Sequence, residues 1–475
     1  MFFSAYTLGC KLNQLETEAI VDAFNREGFS FIPGSTPSAE PSSAQLSIII
    51  INTCTVTSMA EQKARRLIRK LLRENPAACI IITGCYAQME QETLSALDEQ
   101  RVFVVPGEKK DSLLDLPRFI RERISNEELG IMSIPELVAY WLEAKGKITG
   151  DDGSFRFKPE FFSSHSRAFL KIQDGCDNRC AYCRVSLARG KSRSLKAGDA
   201  LLELKALEKR GFAEVVLTGV NISLYRDSTM GLAGLLAFLL EGTEKVRIRL
   251  SSIEPEALAG NDGGGELIQV LANPRIRPHF HLSLQSASAE ILKKMGRSYS
   301  PEDVDRALAM LRFIRQDPFI ACDIITGFPG ETEEDFEKTY SFCQKAGFAW
   351  IHAFPFSRRP GTAAYDFPER VSEKASARRV ELLTELAKKG RREYLSKWEG
   401  KEVEAVVEAG KKLPKGFVPG VSENYLKLLI ACGDNSMPSP GFLIRCRIGM
   451  PIMKRDNNQF DAIAEENVQR KPITS

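Results

Sequence analysis

The sequence predicts a multidomain α/β protein that ends in a small all-β barrel. Strand-like and helix-like segments alternate over residues 1–125 and again over residues 161–370, which is the pattern of parallel sheets covered by helices. After residue 399 the segments become short and strand-like, and turn residues separate them, as in a small barrel. At 475 residues, the chain is long enough for about three domains.

Residues 1–125 predict a small parallel sheet with helices on its faces. The apolar segments are short, and a helix-like segment follows most of them, as in successive βα units. The predicted strands are Phe2–Leu8, Leu46–Ile51, Cys79–Thr83 and Val102–Val105. The predicted helices are Gln14–Arg26, Met59–Glu74 and Glu90–Leu97, and a Pro/Ser-rich loop is expected over Pro33–Ser43.

A looser pattern over residues 126–160 predicts a connecting segment, with a helix over Ile134–Ala144 and a loop over Lys145–Phe157. Residues 161–398 predict a partial (β/α)6 barrel, because six strand-like segments alternate with helices. A long charged helix follows at Ser372–Lys397. The six predicted strands are Ala168–Gln173, Glu214–Thr218, Val246–Ser251, His279–Gln285, Phe319–Thr326 and Trp350–Phe356.

Residues 399–466 predict the small all-β barrel, and residues 467–475 form a tail. Turn residues bound each of its strand-like segments, which is typical of short antiparallel strands. The predicted strands are Val403–Glu408, Tyr425–Ala431, Phe442–Ile448 and Phe460–Ala464.

Three cysteines lie in one short loop, at Cys176, Cys180 and Cys183. The CxxxCxxC spacing follows a predicted strand and lets three thiolates converge, and thiolate is the soft ligand that Fe–S clusters need. Three cysteines leave one iron of a [4Fe–4S] cube open for a substrate or cofactor. A structural zinc site is the alternative, but zinc needs a fourth ligand, and neither Cys nor His follows nearby.

A second group of three cysteines, Cys10, Cys54 and Cys85, is spread over residues 1–125. Each one follows the C-terminal end of a predicted strand, and in an open α/β sheet these loops lie along one edge. We therefore expect the three to meet in a second cluster site. Taken alone, each cysteine would be interpreted as a small apolar core residue, and it is the three equivalent loop positions that favour a cluster. Core packing is the prediction for the remaining five: Cys79, Cys322, Cys343, Cys432 and Cys446.

Polar and glycine residues occur near the C-terminal ends of the predicted barrel strands, where such barrels place their chemistry. Glycine lets the backbone approach a ligand, and polar side chains can hydrogen-bond adenine, ribose or an amino acid. Taken singly, each residue could also serve as a turn or cap residue. The predicted cofactor-binding residues are Tyr182, Gly219, Asn221, Ser252, Glu254, Ser283, Gln285 and Asp323.

Composition limits the classes of partner. A net charge of +3 is too small to indicate nucleic acid by itself, so RNA binding must depend on local basic patches. One candidate is a face of the Met59–Glu74 helix, with Lys63, Arg66, Lys70 and Arg73; the alternative is a solvated helix face. The second candidate consists of Arg378, Arg379, Lys388, Lys389, Arg391, Arg392 and Lys397.

The eleven cysteines are an odd number and sparsely spread, unlike a secreted disulfide framework. The first residues lack a signal-peptide pattern, and no apolar run is long enough to span a bilayer. We therefore expect a cytoplasmic protein without a membrane contact, in which thiols stay reduced and available to metal.

These motifs together resemble the radical S-adenosylmethionine (SAM) methylthiotransferases over nearly the whole chain. The resemblance implies that Cys10, Cys54 and Cys85 hold an auxiliary [4Fe–4S] cluster in an N-terminal methylthiotransferase domain. It implies a second [4Fe–4S] cluster on Cys176, Cys180 and Cys183 that binds SAM. It also implies that residues 399–466 are a TRAM-like RNA-binding domain, that flavodoxin or ferredoxin donates electrons, and that the protein is a monomer.

The motifs look most like the subgroup that acts on N6-threonylcarbamoyladenosine at position 37 of tRNA, in the anticodon stem-loop. The stretches that carry this resemblance are 9–18, 52–57, 171–176 and 189–194. The implied reaction replaces the C2–H of adenosine with C2–SCH3. Alternatives are methylthiolation of isopentenyladenosine in tRNA or of a ribosomal-protein aspartate. Two alternatives from other classes are an Fe–S carrier and an RNA-binding protein with structural zinc, neither of which would catalyse methylthiolation.

Two arginines downstream of the cysteine loop bear on the substrate. Arg189 and Arg193 could supply charge-assisted hydrogen bonds to the carboxylate of a threonylcarbamoyl group. The alternative is that they pair with acidic residues or contact phosphate.

Overall fold

The computed structural model describes residues 1–34, 46–125, 132–145, 153–163, 165–228, 230–259, 264–409, 413–432, 437–452 and 460–466. The predicted tail at 467–475 lies outside these ranges, as do most of the loop at 33–43 and part of the loop at 145–157. Among the described helices, none combines the length and the apolar character that a bilayer-spanning segment requires.

Residues 1–125 form a five-stranded parallel sheet, which confirms the prediction. In chain order the strands are Phe2–Thr7, Ser30–Phe31, Leu46–Thr53, Cys79–Gly84 and Val102–Val104, and across the sheet their order is 2-1-3-4-5. Ile48–Ile51 and Ile80–Ile82 are fully buried, as expected for a sheet with both faces covered. The surrounding helices are Lys11–Arg26, Ser58–Glu74, Cys85–Met89, Gln91–Ser95, Leu116–Ser125 and the 3-10 helix Gly107–Leu114.

The predicted connecting segment contributes to the first core. Its helix extends over Ile134–Lys145, and Val138 and Trp141 are buried against the apolar residues of the N-terminal sheet. Phe157 is buried in the same cluster, just after the 3-10 helix Gly153–Phe155. Both described parts of this segment therefore contribute to the core of the first sheet.

Six parallel strand positions form the partial barrel, which confirms the prediction. The third position is broken at Ser251, so the strands divide into a three-stranded and a four-stranded sheet. A backbone bridge between Ile248 and Ile276 spans the break. The strands are Ala168–Lys171, Glu214–Thr218, Arg247–Leu250 with Ser252–Ile253, His279–Gln285, Phe319–Thr326 and Trp350–Pro355.

Helices cover the outer face of these strands, and together they enclose the largest apolar core of the described chain. The capped helices Pro301–Ile314 and Glu333–Ala346 each begin with a capping box, so their first-turn N–H groups are satisfied locally. The others are Val185–Arg189, Ala197–Lys209, Leu232–Glu241, Pro255–Ala259, Gly264–Leu271, Ala289–Met295 and Glu373–Ser396. Two-residue strands pair Gln173–Asp174 with Arg193–Ser194 and Arg226–Asp227 with Met230–Gly231, and 3-10 turns lie at Ile222–Leu224 and Ala363–Tyr365.

The C-terminal segment is a closed five-stranded barrel, as predicted. The sequence analysis missed one strand, Phe417–Ser422, because Pro419 and Gly420 both disfavour strand structure. Closure of the barrel pairs that strand on both sides. The remaining strands are Glu402–Val407, Lys427–Ala431, Leu443–Pro451 and Ala462–Glu466.

The small barrel docks at the N-terminal end of the partial barrel. There the Glu214 carboxylate accepts hydrogen bonds from Arg249 at 2.6 Å and from Arg277 at 2.8 Å, and all three side chains are buried. Burial raises the pKa of Glu214, but the charges of Arg249 and Arg277 outweigh it, so the pKa lies well below its ordinary value. Arg249 also donates to the Ser422 carbonyl of the small barrel, and Arg277 to Glu404. These bonds fix the two barrels to each other.

Candidate active site

The cysteine loop lies at the C-terminal end of the first barrel strand. Gly175 has a φ of +69°, and a Cβ there would lie 1.9 Å from the Lys191 carbonyl oxygen, so only glycine fits. The three thiols are half-buried. Burial raises the pKa of Cys183 to about 12 and also raises that of Cys176. A cation is therefore needed to stabilise the thiolates, which fits an iron cluster.

The second triad comes from three loops at one edge of the N-terminal sheet. Cys10 precedes the Lys11–Arg26 helix, Cys54 follows Thr53 at the end of its strand, and Cys85 begins the Cys85–Met89 helix. A Cβ on Gly9, next to Cys10, would lie 3.0 Å from Cys54 Sγ. Burial, together with the charges of Cys10 and Cys85, raises the pKa of Cys54 to about 12. The structure thus brings the three thiols together.

Neither triad has the geometry of a single-ion site. In the described ranges, no three His, Cys, Asp or Glu side chains are placed to hold one metal ion. In a [4Fe–4S] cube each thiolate binds a different iron atom, so the thiols need not converge on one point. Three thiols in each triad provide the ligand number that leaves one iron open.

A short helix connects the two triads. It begins at Val185, two residues after Cys183, and ends at Arg189. The Arg189 Nε donates to Cys85 Sγ at 3.3 Å, and its Nη2 donates to Asn13 Oδ1 at 2.9 Å. A residue just downstream of the cysteine loop therefore contacts a ligand candidate of the other triad directly.

The prediction that Arg189 binds the substrate carboxylate is wrong. Its guanidinium is buried and pairs with Glu16 at 2.9 Å and with Asp174 at 3.1 Å, as the alternative for this residue had it. Arg193 is exposed and donates to the Arg189 carbonyl oxygen at 3.1 Å. The prediction that Arg193 binds the substrate carboxylate stays untested.

The charges around Arg189 do not cancel. Lys110 lies 2.5 Å from Glu16, and Lys171 lies 2.5 Å from Asp174, so three cationic side chains face two carboxylates in a buried network. Burial raises the pKa of Glu16, but Arg189, Lys110 and Lys171 together hold it well below its ordinary value, which keeps the carboxylate ionised. An excess buried positive charge is costly unless an anion is near. A cluster held by the thiolates of Cys10, Cys54 and Cys85 would be such an anion.

Glu254 lies beside the cysteine loop, as predicted for a cofactor-binding residue. Asn178, inside the loop, donates to Glu254 Oε1 at 3.0 Å, and Arg297 Nη2 donates to the same oxygen at 2.6 Å. Arg297 Nη1 also donates to Cys180 Sγ at 3.2 Å. The sequence analysis missed Asn178 and Arg297, since neither stands in a pattern that differs from a loop or helix-end residue.

Gly219 and Asn221 pack against the same loop through one amide side chain. The Asn221 N–H donates to Gln173 Oε1 at 2.8 Å, and Gln173 Nε2 donates to the Gly175 carbonyl oxygen at 2.7 Å. Gly219 also packs on the Gln173 side chain. These contacts place both predicted residues next to the cysteine loop.

Ser252 and Asp323 are joined across three neighbouring strands by a histidine that the sequence analysis missed. Ser252 Oγ lies 3.2 Å from His281 Nδ1, and His281 Nε2 lies 3.1 Å from Asp323 Oδ1. All three side chains are partly exposed, since they face the barrel interior rather than the helices. The period of two along the central strand could have indicated His281, because Ser283 and Gln285 follow it at the same spacing.

The remaining predicted residues lie around this interior. Ser283 offers its backbone carbonyl, which accepts from the Tyr299 hydroxyl at 2.7 Å. Gln285 ends its strand with a φ of +63°, an uncommon conformation outside glycine. Tyr182 packs edge-on against Phe328, with ring centroids 6.5 Å apart. The predicted cofactor residues thus gather at one end of the barrel, whereas their contact with a cofactor stays a proposal.

Known proteins match both halves of the chain. The Radical SAM superfamily matches residues 170–343, and the Uncharacterized protein family UPF0004 matches residues 3–106. The chain is 39% identical to the Threonylcarbamoyladenosine tRNA methylthiotransferase MtaB of Treponema pallidum (strain Nichols), with 93% of this chain and 97% of that protein covered. The chain belongs to the radical SAM methylthiotransferase family.

Other relatives agree with this membership. The Threonylcarbamoyladenosine tRNA methylthiotransferase MtaB of Aquifex aeolicus (strain VF5) is 34% identical and covers 88% of this chain and 96% of its own length. The tRNA-2-methylthio-N(6)-dimethylallyladenosine synthase of Thermotoga petrophila (strain ATCC BAA-488 / DSM 13995 / JCM 10881 / RKU-1) is 32% identical, with 87% of each chain covered. The chain is thus a radical SAM enzyme, and SAM and [4Fe–4S] clusters are its cofactors.

In this methylthiotransferase, the first basic patch is exposed as predicted. Lys63, Arg66, Lys70 and Arg73 all lie on the solvent side of the Ser58–Glu74 helix, whereas Ala64, Ile68 and Leu71 on the opposite side are buried. Arg69 adds a fifth exposed cation to that surface. Lys70 has one weak ion pair, with Glu74 at 3.8 Å.

The second basic patch is not one surface, and its prediction needs correction. Arg379 is buried and pairs with Glu331 at 2.6 Å, and Arg391 donates to Asp461 of the small barrel at 2.9 Å. The helix Glu373–Ser396 packs on both barrels, so its cations point in several directions. Internal ion pairs therefore neutralise part of the charge of the sequence cluster.

Proposed function

We propose that this enzyme converts N6-threonylcarbamoyladenosine at position 37 of tRNA to its 2-methylthio derivative. The observation that carries the proposal is the meeting of two cysteine triads across one five-residue helix. The substrate follows from the relative that is 39% identical and bears this activity in its name. The relative named for dimethylallyladenosine is less similar, at 32%.

The reaction must break an unactivated C–H bond, which acid–base groups cannot do. When bound at the two triads, SAM and the clusters supply the one-electron chemistry, the sulfur and the methyl group. The protein's own task is to hold these groups and the base at reaction distance, and to exclude water that would quench a reactive species.

Named residues perform that task. Cys176, Cys180 and Cys183 would hold the cluster that binds SAM, and Cys10, Cys54 and Cys85 would hold the auxiliary cluster. Glu254 keeps the cysteine loop in place through Asn178 and Arg297. The remaining candidates for contact with SAM or the base line the barrel end: Tyr182, Gly219, Asn221, Ser252, Ser283, Gln285 and Asp323.

The RNA partner contacts the enzyme at the exposed face of the Ser58–Glu74 helix, which begins four residues after Cys54. Phosphate contacts there would hold the anticodon stem-loop while base 37 enters the barrel end. Flavodoxin or ferredoxin as electron donor, a cytoplasmic location and a monomeric state stay predictions of the sequence analysis.

The test supplies the purified, iron-loaded enzyme with two tRNAs, one carrying threonylcarbamoyladenosine and one carrying isopentenyladenosine at position 37. We expect mass spectrometry of the digested tRNA to show the 2-methylthio product on the threonylcarbamoyl substrate. Product on the isopentenyl substrate alone would overturn the assignment. Methylthiolation of a ribosomal protein, with both tRNAs unchanged, would assign the enzyme to the protein-modifying branch.

A further inference from the structure

One carboxylate connects the sequence neighbours of both triads. Glu61 lies in the first turn of the Ser58–Glu74 helix and is buried at the contact between the N-terminal sheet and the barrel. Thr55, the residue after Cys54, donates its hydroxyl to Glu61 Oε1 at 2.6 Å. Arg184, the residue after Cys183, donates Nη1 to the same oxygen at 3.4 Å. The covalent neighbours of two ligand candidates thus meet at one atom.

Two further contacts close this arrangement. Arg359, from the loop after the last barrel strand, donates Nη2 to Thr55 Oγ1 at 3.0 Å and also to Glu61. Arg184 donates its Nη2 to Glu90, the residue that follows the short helix Cys85–Met89. Thr55, Arg184 and Arg359 are all buried. Removing the Glu61 carboxylate would therefore leave the buried Arg359 without its carboxylate partner, whereas Arg184 would keep Glu90.

We propose that Glu61 is a positioning residue that sets the distance between the two cluster sites. The bonds run from Cys54 through Thr55 and Glu61 to Arg184 and Cys183, so a change at Glu61 moves one triad relative to the other. The inference rests on the proposed function, in which sulfur from one site must reach a carbon activated at the other. A misplacement of about 1 Å can lower the rate of such a step about 100-fold.

A purely structural role for Glu61 makes a different prediction. If Glu61 only stabilised the domain contact, its loss would lower SAM cleavage and thiomethylation by the same factor. A positioning role predicts uncoupling instead: 5′-deoxyadenosine still forms at the intact SAM site, but less of it leads to product. The ratio of 5′-deoxyadenosine to 2-methylthio product therefore separates the two roles.

The matched control lies at the other end of the barrel. Glu214 is also a buried carboxylate that pairs with the buried Arg249 and Arg277, and it has a longer contact with Arg167 at 3.5 Å. Arg249 and Arg277 bind the small barrel, and Glu214 has no hydrogen bond or ion pair with either triad among the described residues. Its substitution by Gln removes the same charge from the same kind of environment. Both variants, E61Q and E214Q, are made in the full-length enzyme and loaded with iron.

Two measurements test the proposal. We expect E61Q to raise the ratio of 5′-deoxyadenosine to product at least tenfold, whereas E214Q leaves it at the wild-type value. In the reduced protein without tRNA, we expect the magnetic interaction between the two clusters, measured by pulsed EPR, to change in E61Q and not in E214Q. If E61Q does not hold iron, E61D, which keeps the charge on a shorter side chain, is measured in its place.

An unchanged ratio of 5′-deoxyadenosine to 2-methylthio product, including an equal loss of both, would overturn the proposal, as would an unchanged magnetic interaction. The EPR arm needs no tRNA, so it tests Glu61 even where the wild-type enzyme fails to modify the threonylcarbamoyl substrate. That failure would concern the proposed function alone.

Discussion

The two cysteine triads differ in how the chain builds them. Cys176, Cys180 and Cys183 lie within eight residues of one loop, whereas Cys10, Cys54 and Cys85 come from three loops separated by whole βα units. The first triad depends on the conformation of one loop. The second depends on the order and register of the N-terminal sheet, because only neighbouring strands bring their ends together. Local damage should therefore remove the first site, and damage to strand packing the second.

The largest effect is expected from removing each triad in turn. Cys176, Cys180 and Cys183 changed together to Ala should abolish SAM cleavage, since no open iron is left to bind SAM. The corresponding variant of Cys10, Cys54 and Cys85 should still form 5′-deoxyadenosine but no thiomethyl product. Iron analysis of both variants should show about half of the wild-type content, as two equal cubes require. Loss of SAM cleavage in the second variant despite this iron would contradict the division of roles.

Two glycines allow a milder version of the same comparison. In Gly84→Ala a Cβ would lie 2.3 Å from the Thr53 carbonyl oxygen, and in Gly175→Ala 1.9 Å from that of Lys191. We expect each variant to lose iron from its own triad only, with a destabilisation of about 1–3 kcal/mol from the strained backbone. Gly28→Ala is the control, because Gly28 also has a positive φ but no atom within 4 Å of the new Cβ. Equal iron loss in all three variants would show that strain alone is responsible.

A smaller effect is expected where the triads touch. Arg189→Met removes a positive charge and the hydrogen bond to Cys85 Sγ, and both favour the reduced cluster. We expect the midpoint potential of the auxiliary cluster to fall by about 60 mV, which corresponds to ~1.4 kcal/mol for one electron. The titration uses the variant without the SAM triad, so that one cluster is observed. Arg193→Met, at an exposed neighbour, should leave the potential unchanged; a shift in both would point to a general charge effect.

The smallest effect is expected outside both triads. Lys63, Arg66, Lys70 and Arg73 changed together to Ala should weaken tRNA binding and make its salt dependence less steep, by about one unit of slope for each phosphate that these side chains neutralise. SAM cleavage without tRNA should not change. The control removes four exposed lysines, Lys205, Lys209, Lys338 and Lys345, from the outer helices. If both quadruple variants bind tRNA alike, the helix face is only solvated.

The sequence was sufficient to predict features that repeat along the chain or lie within one short segment. The six barrel strands and the N-terminal sheet follow from apolar segments that alternate with helices. Phe417–Ser422 was missed because Pro419 and Gly420 mask a strand that barrel closure enforces. The clustering of Cys10, Cys54 and Cys85 could be predicted because strand ends share an edge in a parallel sheet.

Partners of individual charged residues could not be predicted in the same way. Arg189 looks like a substrate ligand in the sequence, but Glu16, 173 positions earlier, pairs with it. Glu61 looks like an ordinary first-turn acid of a helix, and its arginine partners lie 123 and 298 positions away. Such pairs depend on how two separately folded sheets meet, and no local periodicity encodes that arrangement.

The fixed attachment of the small barrel sets how long an RNA must be to contact both that barrel and the cysteines. The ion pairs at Glu214 lie at the N-terminal end of the partial barrel, and the cysteines lie at its C-terminal end. The two ends are one strand length apart, and the eight residues of Phe319–Thr326 span roughly 25 Å. An RNA that contacts both ends must cover that distance. If the small barrel binds RNA, as the resemblance of residues 399–466 to a TRAM domain implies, shorter RNA fragments that carry the modified base should bind more weakly but react in the same way.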